Sequence, residues 1–357
     1  MVEPFPIVLR QIMSLPPFRN FSTNLTNEAN SESDLLSLNS IMGVFFLIFY
    51  ISVSLTSFVG NSLVLLICCR SLRRKQRSDS TREHFFSLYI ANLAFSDLVF
   101  TMLTFFDALY AMQGEWKTGN FTCKIQGFLV ETCYTVSILT LVAISRERVT
   151  TVSRAEVNSR VQKGKERKIV TMILWIVSIL ACTPLLYAYS TFFDVKDGVW
   201  QCRNKTWGNT GRQVYYSIAA LPLFIFPLIF MTYTHLRINK VLKSQVAPSE
   251  HMLKAIRSRQ RKASRMLGMV TLLFFVLWSP FILLRTLRYF SWYKGLNLWK
   301  LSQLLVIASS ATNPFVYCFY STQFRGYFKT VLTCRCTRFV AGTTTEGTTT
   351  ISNSVVN

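Results

Sequence analysis

The chain has 357 residues, of which 50% are hydrophobic, 14% aromatic and only 16% charged. This composition excludes an ordinary soluble protein. The net charge of +22 does not indicate a nucleic-acid binder, because the basic residues separate apolar runs and do not form one solvated face. A membrane protein is the class that these numbers favour.

The start of the chain precedes any apolar stretch. Residues 1–40 are polar and rich in Asn and Ser, so we expect a glycosylated N-terminal arm. The first residues lack a basic segment followed by a clean apolar core and a small-residue cleavage site. We therefore expect no cleaved signal peptide and predict that the first membrane span serves as the insertion signal.

Seven stretches are apolar enough to cross about 30 Å of hydrocarbon as helices. In chain order they cover residues 41–69, 86–111, 122–150, 168–190, 214–236, 266–290 and 298–320. The fold class that they predict is an all-α membrane protein with a seven-transmembrane helix bundle over residues 41–320. No second soluble domain and no internal repeat is expected.

Two short regions follow the last span. Residues 321–333 place aromatic and basic side chains at helical spacing, which predicts an amphipathic helix on the membrane surface; an unstructured basic segment is the alternative. Residues 334–357 form a tail rich in Thr and Ser. At its start, Cys334 and Cys336 are candidates for palmitoylation.

Basic residues and glycosylation motifs predict the same orientation. The segments that would be cytoplasmic with an outside N-terminus hold 27 of the 39 Lys and Arg, as the positive-inside rule requires. Asn-x-Ser/Thr acceptors stand at Asn20, Asn24, Asn120 and Asn204, all in segments placed outside. We expect a plasma-membrane protein with an extracellular N-terminus and a cytoplasmic tail.

Several residues inside the spans are unusual for a bilayer. Polar groups there are costly and usually mark function, and prolines break helices. The polar residues are Asn61, Asp97, Glu131 and Asn313, and the prolines are Pro227, Pro280 and Pro314. A lone buried carboxylate such as that of Asp97 must be neutralised, paired or bound to a cation.

Each of the seven spans contains a short motif of its own, and the motifs follow one another in order and at compatible spacing. They are Gly60-Asn61, Leu93-Ala94-x-x-Asp97, Cys123 with Arg148 25 residues later, Trp175, Pro227 with Tyr233, Phe274-Phe275-Val276-Leu277-Trp278-Ser279-Pro280, and Asn313-Pro314-Phe315-Val316-Tyr317. Over residues 41–332 the chain resembles the rhodopsin-like (class A) G-protein-coupled receptors. Leu277 stands where Cys is usual in that family.

The resemblance implies a receptor and not an enzyme. A ligand would shift the equilibrium of a bistable bundle, and a heterotrimeric G protein would bind inside the cell. The residues that the family's motifs assign to G-protein coupling and the activation switch are Glu147, Arg148, Tyr233, Trp278, Pro280, Asn313, Pro314, Tyr317, Ile138, Pro227 and Phe274. Arrestin and a receptor kinase would act on the Thr/Ser-rich tail, and membrane lipid would surround the bundle.

Glu147-Arg148-Val149 stands where the family usually has Asp-Arg-Tyr. The Glu147 carboxylate is expected to hold Arg148 in the resting state by a charge-assisted bond. Val149 removes the tyrosine hydroxyl, and Arg146 adds a charge that competes for Glu147. We therefore predict that replacing Glu147 by Gln raises ligand-independent signalling.

The resemblance also implies a disulfide and an ion site. Cys123 and Cys202 match the pair that ties the second extracellular loop to the third helix. Asp97, Ser137, Ser310 and Asn313 match the family's allosteric sodium pocket, although Ser309 stands where Asn is frequent. A hydrated polar network without an ion is the alternative, and no other cofactor is expected.

Two residues that particular receptor classes require are absent, which narrows the possible classes of ligand. Ile307 replaces the retinal-bearing lysine of an opsin, and Val130 replaces the aspartate of aminergic receptors. The remaining candidates for ligand binding are Asp107, Gln126, Glu131, Arg285, Arg288, Trp299 and Gln303. Arg285 and Arg288 lie about one helical turn apart, so we expect a basic wall for a carboxylate or an acidic peptide side chain; lipid-headgroup contact is the alternative for both.

These features most resemble the peptide-receptor subgroup, and a neuropeptide is the expected ligand. A receptor for a small carboxylate or a lipid is the alternative, and it predicts that an alanine at position 285 abolishes the response. A seven-helix transporter is the distant alternative, because no paired half-chain repeat is present.

Overall fold

The computed structural model describes residues 41–75, 87–153, 160–195, 198–244, 251–293, 295, 297–320, 324–326 and 328. The predicted N-terminal arm, most of the predicted amphipathic helix and the tail lie outside these residues. So do the candidate modification sites Asn20, Asn24, Cys334 and Cys336. Residues 324–326 and 328 are helical, and Phe324 packs on Tyr317 with a ring-centroid distance of 5.8 Å.

Nine α-helices and two strands make up most of the described residues before residue 321. The helices are α1 (Ile41–Lys75), α2 (Ser87–Gln113), α3 (Gly119–Ser153), α4 (Arg160–Cys182), α5 (Leu185–Ala188), α6 (Gly208–Ala220), α7 (Phe226–Ser244), α8 (His251–Tyr289) and α9 (Asn297–Tyr320). Strands β1 (Ser190–Asp194) and β2 (Val199–Arg203) lie between α5 and α6. A π-helical turn, Leu221–Ile225, joins α6 and α7 into one continuous rod.

The helices match the seven predicted spans. In the described part of the chain, six stretches are long and apolar enough to cross a membrane, and they fall in α1, α2, α3, α4 with α5, α6 with α7, and α8. Helix α9 has 24 residues, or roughly 36 Å at 1.5 Å per residue, which is long enough for the seventh span. The helical membrane architecture is therefore confirmed.

The helices close into a ring. Helix α1 packs on α2 and α9, α2 on α3, α3 on α7, α7 on α8, and α8 on α9, while α4 packs on the outside of α3. The core between them is apolar and includes Val64, Leu93, Ile138, Met231, Phe274, Trp278 and Tyr317. Side chains from opposite sides of the ring therefore meet along its axis.

Two boundaries differ from the prediction. The fourth span was expected to run through residues 168–190, but α4 ends at Cys182 and a short separate helix follows Pro184. Proline lacks an N–H group and clashes with the preceding turn, so the helix cannot continue regularly. In the fifth span the π-helical turn ends at Ile225, two residues before Pro227.

The loop around Cys202 contains an element that hydropathy did not predict. Strands β1 and β2 pair antiparallel, with Thr191 opposite Cys202. Cys202 is bonded to Cys123 at the start of α3, with 5.6 Å between the two Cα atoms, so the predicted disulfide is confirmed. We call this side of the bundle the disulfide end and the opposite side the Arg148 end.

Gly60 explains one of the recurring motifs. A Cβ atom at this position would lie 2.8 Å from Cγ of Pro314, so only glycine lets α1 approach α9 this closely. Next to it, Asn61 donates its Nδ2 hydrogens to the backbone oxygens of Ser57 and Ser310, each at 3.0 Å. The pair thus joins the first and last helices.

Candidate functional site

A buried ion pair lies below the disulfide end, between α3 and α8. Arg285 Nη1 donates to Glu131 Oε1 at 3.2 Å, and the side chains are only 4% and 12% exposed. The guanidinium carbon lies 4.6 Å from the centroid of the Tyr216 ring and 4.9 Å from that of Phe281. Both rings offer their electron-rich faces to the cation, which stabilises it further.

This pair corrects the prediction of a basic wall made by Arg285 and Arg288. Because Glu131 compensates the charge of Arg285, the arginine does not offer an unbalanced cation to a ligand. Arg288 points elsewhere, with its guanidinium 5.2 Å from the Trp299 ring and a hydrogen bond of 3.1 Å to the Gly295 oxygen. The two arginines therefore belong to different surroundings.

The other predicted ligand residues lie at the same end of the bundle. Gln126 donates to Asp107 at 2.9 Å, which joins α3 to α2. Trp299 stacks on Phe281 at 5.4 Å, and the Gln303 side chain is exposed on α9. Two of the predicted residues thus bridge helices, and Trp299 extends the aromatic surroundings of Arg285.

Asn204 was predicted as a glycosylation site, but its position in the structure makes it a candidate functional residue. It is only 8% exposed, and its Nδ2 atom donates to the hydroxyls of Tyr216 at 2.9 Å and Tyr289 at 3.0 Å. A glycan would have to replace one of these hydrogens and occupy the same space. The structure therefore argues against the predicted glycosylation of Asn204, whereas Asn120 is exposed and keeps that prediction.

Tyrosines connect this loop to the ion pair. The rings of Tyr216 and Tyr289 stack with their centroids 4.8 Å apart, and Tyr216 covers Arg285. These tyrosines were not among the predicted residues. A signal was present for one of them, because Phe281, Arg285 and Tyr289 are spaced by four residues and so share one face of a helix.

Below the ion pair lies Trp278. Its ring is 5.1 Å from that of Tyr134 on α3 and 6.0 Å from that of Phe274 on its own helix. Ile138, Pro227 and Phe274 are all buried, as a packed switch requires. Their role in activation remains a prediction.

Asp97 is the centre of a polar network deeper in the bundle. Its Oδ1 accepts a hydrogen bond from Ser137 at 3.1 Å, and its Oδ2 accepts one from Asn313 at 2.8 Å. Ser310, the fourth predicted member, contacts the hydroxyl of Ser57 at 3.0 Å. Helices α2, α3 and α9 thus meet around the buried carboxylate of Asp97.

A small cavity adjoins this network and reaches up to Trp278. It measures about 30 Å³ as space open to the centre of a water molecule, enough for at least one water. All four predicted sodium residues line it, together with Ser309. A carboxylate, hydroxyls and room for water form the oxygen-rich surroundings that a hard monovalent cation needs.

The Arg148 end contains an unpredicted ion pair. Glu147 accepts hydrogen bonds from the guanidinium of Arg167 on α4, with Arg167 Nε at 3.2 Å from Oε1. The predicted competitor, Arg146, is exposed instead. Glu147 therefore links α3 to α4, and Arg148 is half-buried beside it.

Two tyrosines of the predicted switch have opposite surroundings. Tyr317 is buried, and its hydroxyl has no hydrogen-bond partner within the described protein. Tyr233 is 56% exposed, and its hydroxyl accepts a bond of 3.4 Å from Arg237. In this conformation they do not meet.

Comparison with known proteins agrees with this architecture. The family model described as 7 transmembrane receptor (rhodopsin family) matches residues 60–317. A QRFP-like peptide receptor from Branchiostoma floridae is 28% identical over 310 residues, covering 82% of this chain and 78% of the relative. Galanin receptor 2a from Danio rerio is 29% identical over 77% of this chain and 74% of its own. Neuropeptide Y receptor type 4 from Rattus norvegicus is 26% identical over 88% and 84%. The chain belongs to the rhodopsin family of seven-transmembrane receptors.

Proposed function

We propose that this receptor is activated by an extracellular peptide and passes the signal to a heterotrimeric G protein. The observation that carries the proposal is the similarity to receptors named for peptides, over more than three quarters of the chain. The predicted orientation places the disulfide end outside the cell, where the ligand binds, and the Arg148 end in the cytoplasm. The plasma membrane is the proposed location.

The geometry at the disulfide end supports a peptide. The predicted ligand residues spread over α2, α3, α8 and α9, and the β-hairpin lies beside them. A ligand that contacts several of these groups at once must be larger than a single small acid. The compensated charge of Arg285 also weakens the alternative, since a small carboxylate would have to compete with Glu131.

A peptide screen tests the proposal. Cells expressing the receptor are exposed to a panel that includes galanin, neuropeptide Y and QRFP-type peptides, while several G-protein pathways are recorded. We expect at least one peptide to activate the wild type, and the same peptide to fail with Arg148→Ala at equal surface level. Activation only by small carboxylates or lipids, lost in Arg285→Ala, would instead support the alternative ligand class.

The orientation has its own test. An epitope tag added before residue 1 should be labelled by antibody on intact cells, and a tag added after residue 357 only after permeabilisation. The reverse pattern would contradict the orientation. Arrestin and receptor-kinase action on the tail is also proposed, and loss of peptide-induced arrestin recruitment after replacing its Thr and Ser residues would support it.

A sodium ion at Asp97 is proposed as an allosteric modulator. Asp97 would supply the charge and Ser137 an uncharged oxygen ligand, next to the cavity described above. A bound cation would hold the surrounding helices in their resting arrangement. Peptide affinity should therefore fall when sodium chloride replaces choline chloride, and an unchanged affinity would favour a network of water alone.

A further inference from the structure

Four cations lie close to one another near Tyr289 and Asn204 at the disulfide end. Arg212 places its guanidinium carbon 5.4 Å from the Tyr289 ring centroid, and Arg288 directly precedes Tyr289 in α8. Arg203 and Lys205 flank Asn204, whose Nδ2 atom donates to the Tyr289 hydroxyl at 3.0 Å. We call Arg203, Lys205, Arg212 and Arg288 the loop rim. One tyrosine thus gathers basic residues from the hairpin, α6 and α8.

The loop rim carries an excess of positive charge. Burial lowers the pKa of Lys205, and the neighbouring Arg203 and Arg212 lower it further, because like charges disfavour another cation. Asp194 is the acidic residue that acts on Lys205 in the opposite direction. Among the residues that the structure describes, Asp194 is thus the carboxylate set against the positive charges around Lys205, which leaves the rim positive.

The ion pair below the rim has no such excess. Glu131 and Arg285 form a neutral pair, enclosed by the rings of Tyr216 and Phe281. Trp299 stacks on Phe281 and extends this aromatic surface towards Arg288. We call the aromatic layer around this neutral pair the floor. Positive charge is therefore concentrated at the loop rim, and the floor is uncharged overall.

This separation indicates which ligand chemistry fits. We infer that the activating peptide places an acidic group, either an Asp or Glu side chain or a C-terminal carboxylate, on the loop rim and an uncharged apolar group on the floor. The inference rests on the proposed peptide function and specifies its ligand. An acidic group gains attraction to four cations at the rim, whereas at the floor it would compete with a buried carboxylate.

Anionic lipid headgroups are the competing occupant of such a rim. The directions of two arginines favour the peptide. Arg212 lies over Tyr289 and Arg288 over Trp299, and these rings belong to the tyrosine cluster and the aromatic floor. Arginines that extend to headgroups turn their charged ends away from such inner surfaces.

The test uses a library of synthetic peptides in matched sets. Each sequence is made with its acidic residues intact, with these replaced by Asn or Gln, and with either a free or an amidated C-terminus. Signalling is recorded for the wild type, the triple variant Arg203→Gln/Lys205→Gln/Arg212→Gln and the control Lys117→Gln. Lys117 is an exposed cation at the same end, paired with Glu115 at 3.9 Å and outside the rim.

We expect the activating peptides to carry an acidic group whose neutralisation weakens potency. The triple variant should lose roughly tenfold in potency towards the acidic form, because it removes three of four attracting charges. It should lose little towards the neutralised form, and Lys117→Gln should match the wild type. A variant that keeps the charges, Arg203→Lys/Arg212→Lys, should retain most of the potency.

Each contrary outcome has a distinct meaning. If no peptide in the library activates any pathway, the proposed function itself is contradicted. If peptides activate but the best are basic, or if the triple variant at equal surface level responds normally to the acidic form, the inference is wrong. If the triple variant changes only the dependence of signalling on anionic lipid in nanodiscs, the rim binds the membrane and the inference is equally wrong.

Discussion

Removing the charge of Glu131 is the sharpest perturbation of this structure. In Glu131→Gln, the guanidinium of Arg285 stays buried at 4% exposure but loses its counter-charge. Breaking a buried pair by removing one partner costs about 3–5 kcal/mol, since an uncompensated charge remains in a poorly solvated site. A loss of this size lowers the midpoint of thermal unfolding by on the order of 10 °C.

The assay is thermal unfolding of the purified receptor in one detergent. Lys117→Gln is the matched control, because its pair with Glu115 is 61% and 30% exposed and contributes at most about 1 kcal/mol. The double variant Glu131→Gln/Arg285→Gln removes both charges and should lose less than the sum of the two single variants. If Glu131→Gln unfolds no earlier than Lys117→Gln, or if the two single effects simply add, the pair does not hold α3 to α8 as described.

Three further predictions concern other parts of the bundle. Glu147→Gln removes the acceptor for Arg167 and should raise basal G-protein activity about fivefold at equal surface level, the change that about 1 kcal/mol produces; unchanged basal output would contradict it. Asp97→Asn should abolish the sodium dependence of peptide affinity, and a persistent sodium effect would place the ion elsewhere. Asn204→Gln should destabilise the receptor by about 1–3 kcal/mol through two lost hydrogen bonds, whereas Thr206→Ala, which removes the glycosylation motif and one exposed 3.3 Å contact with the Ser190 hydroxyl, should cost much less. Mass spectrometry should find Asn204 unmodified in the wild type, and a glycan there would refute the buried geometry.

The helical architecture was predictable because hydrocarbon thickness sets the length of a spanning helix. The helix ends at the Arg148 end were less predictable. Helix α3 continues to Ser153 and α8 begins at His251, beyond the predicted spans 122–150 and 266–290. Outside the hydrocarbon a helix no longer needs apolar side chains, and hydropathy loses its signal there. The β-hairpin was not predicted, because strands of only five residues each leave too short a pattern for a hydropathy window to detect.

Site residues were easier to find than their partners. Glu131 and Arg285 were both singled out, because charges inside a membrane are costly, but 154 positions separate them in the chain. Which faces of α3 and α8 meet is decided by tertiary packing, so their pairing was not visible. At Asn204 the sequence motif gave a prediction that the structure argues against. The three residues of an Asn-x-Thr motif indicate a possible glycosylation site but carry no information about burial.

Nucleotide exchange on a purified G protein tests the central claim most directly. The receptor is reconstituted in nanodiscs with heterotrimers of the main G-protein classes, and exchange is followed with and without a peptide that binds it. The account predicts that the peptide accelerates exchange on at least one heterotrimer, and that Arg148→Ala binds the peptide without this acceleration. Exchange that no peptide accelerates on any heterotrimer, or that proceeds equally in Arg148→Ala, would contradict it.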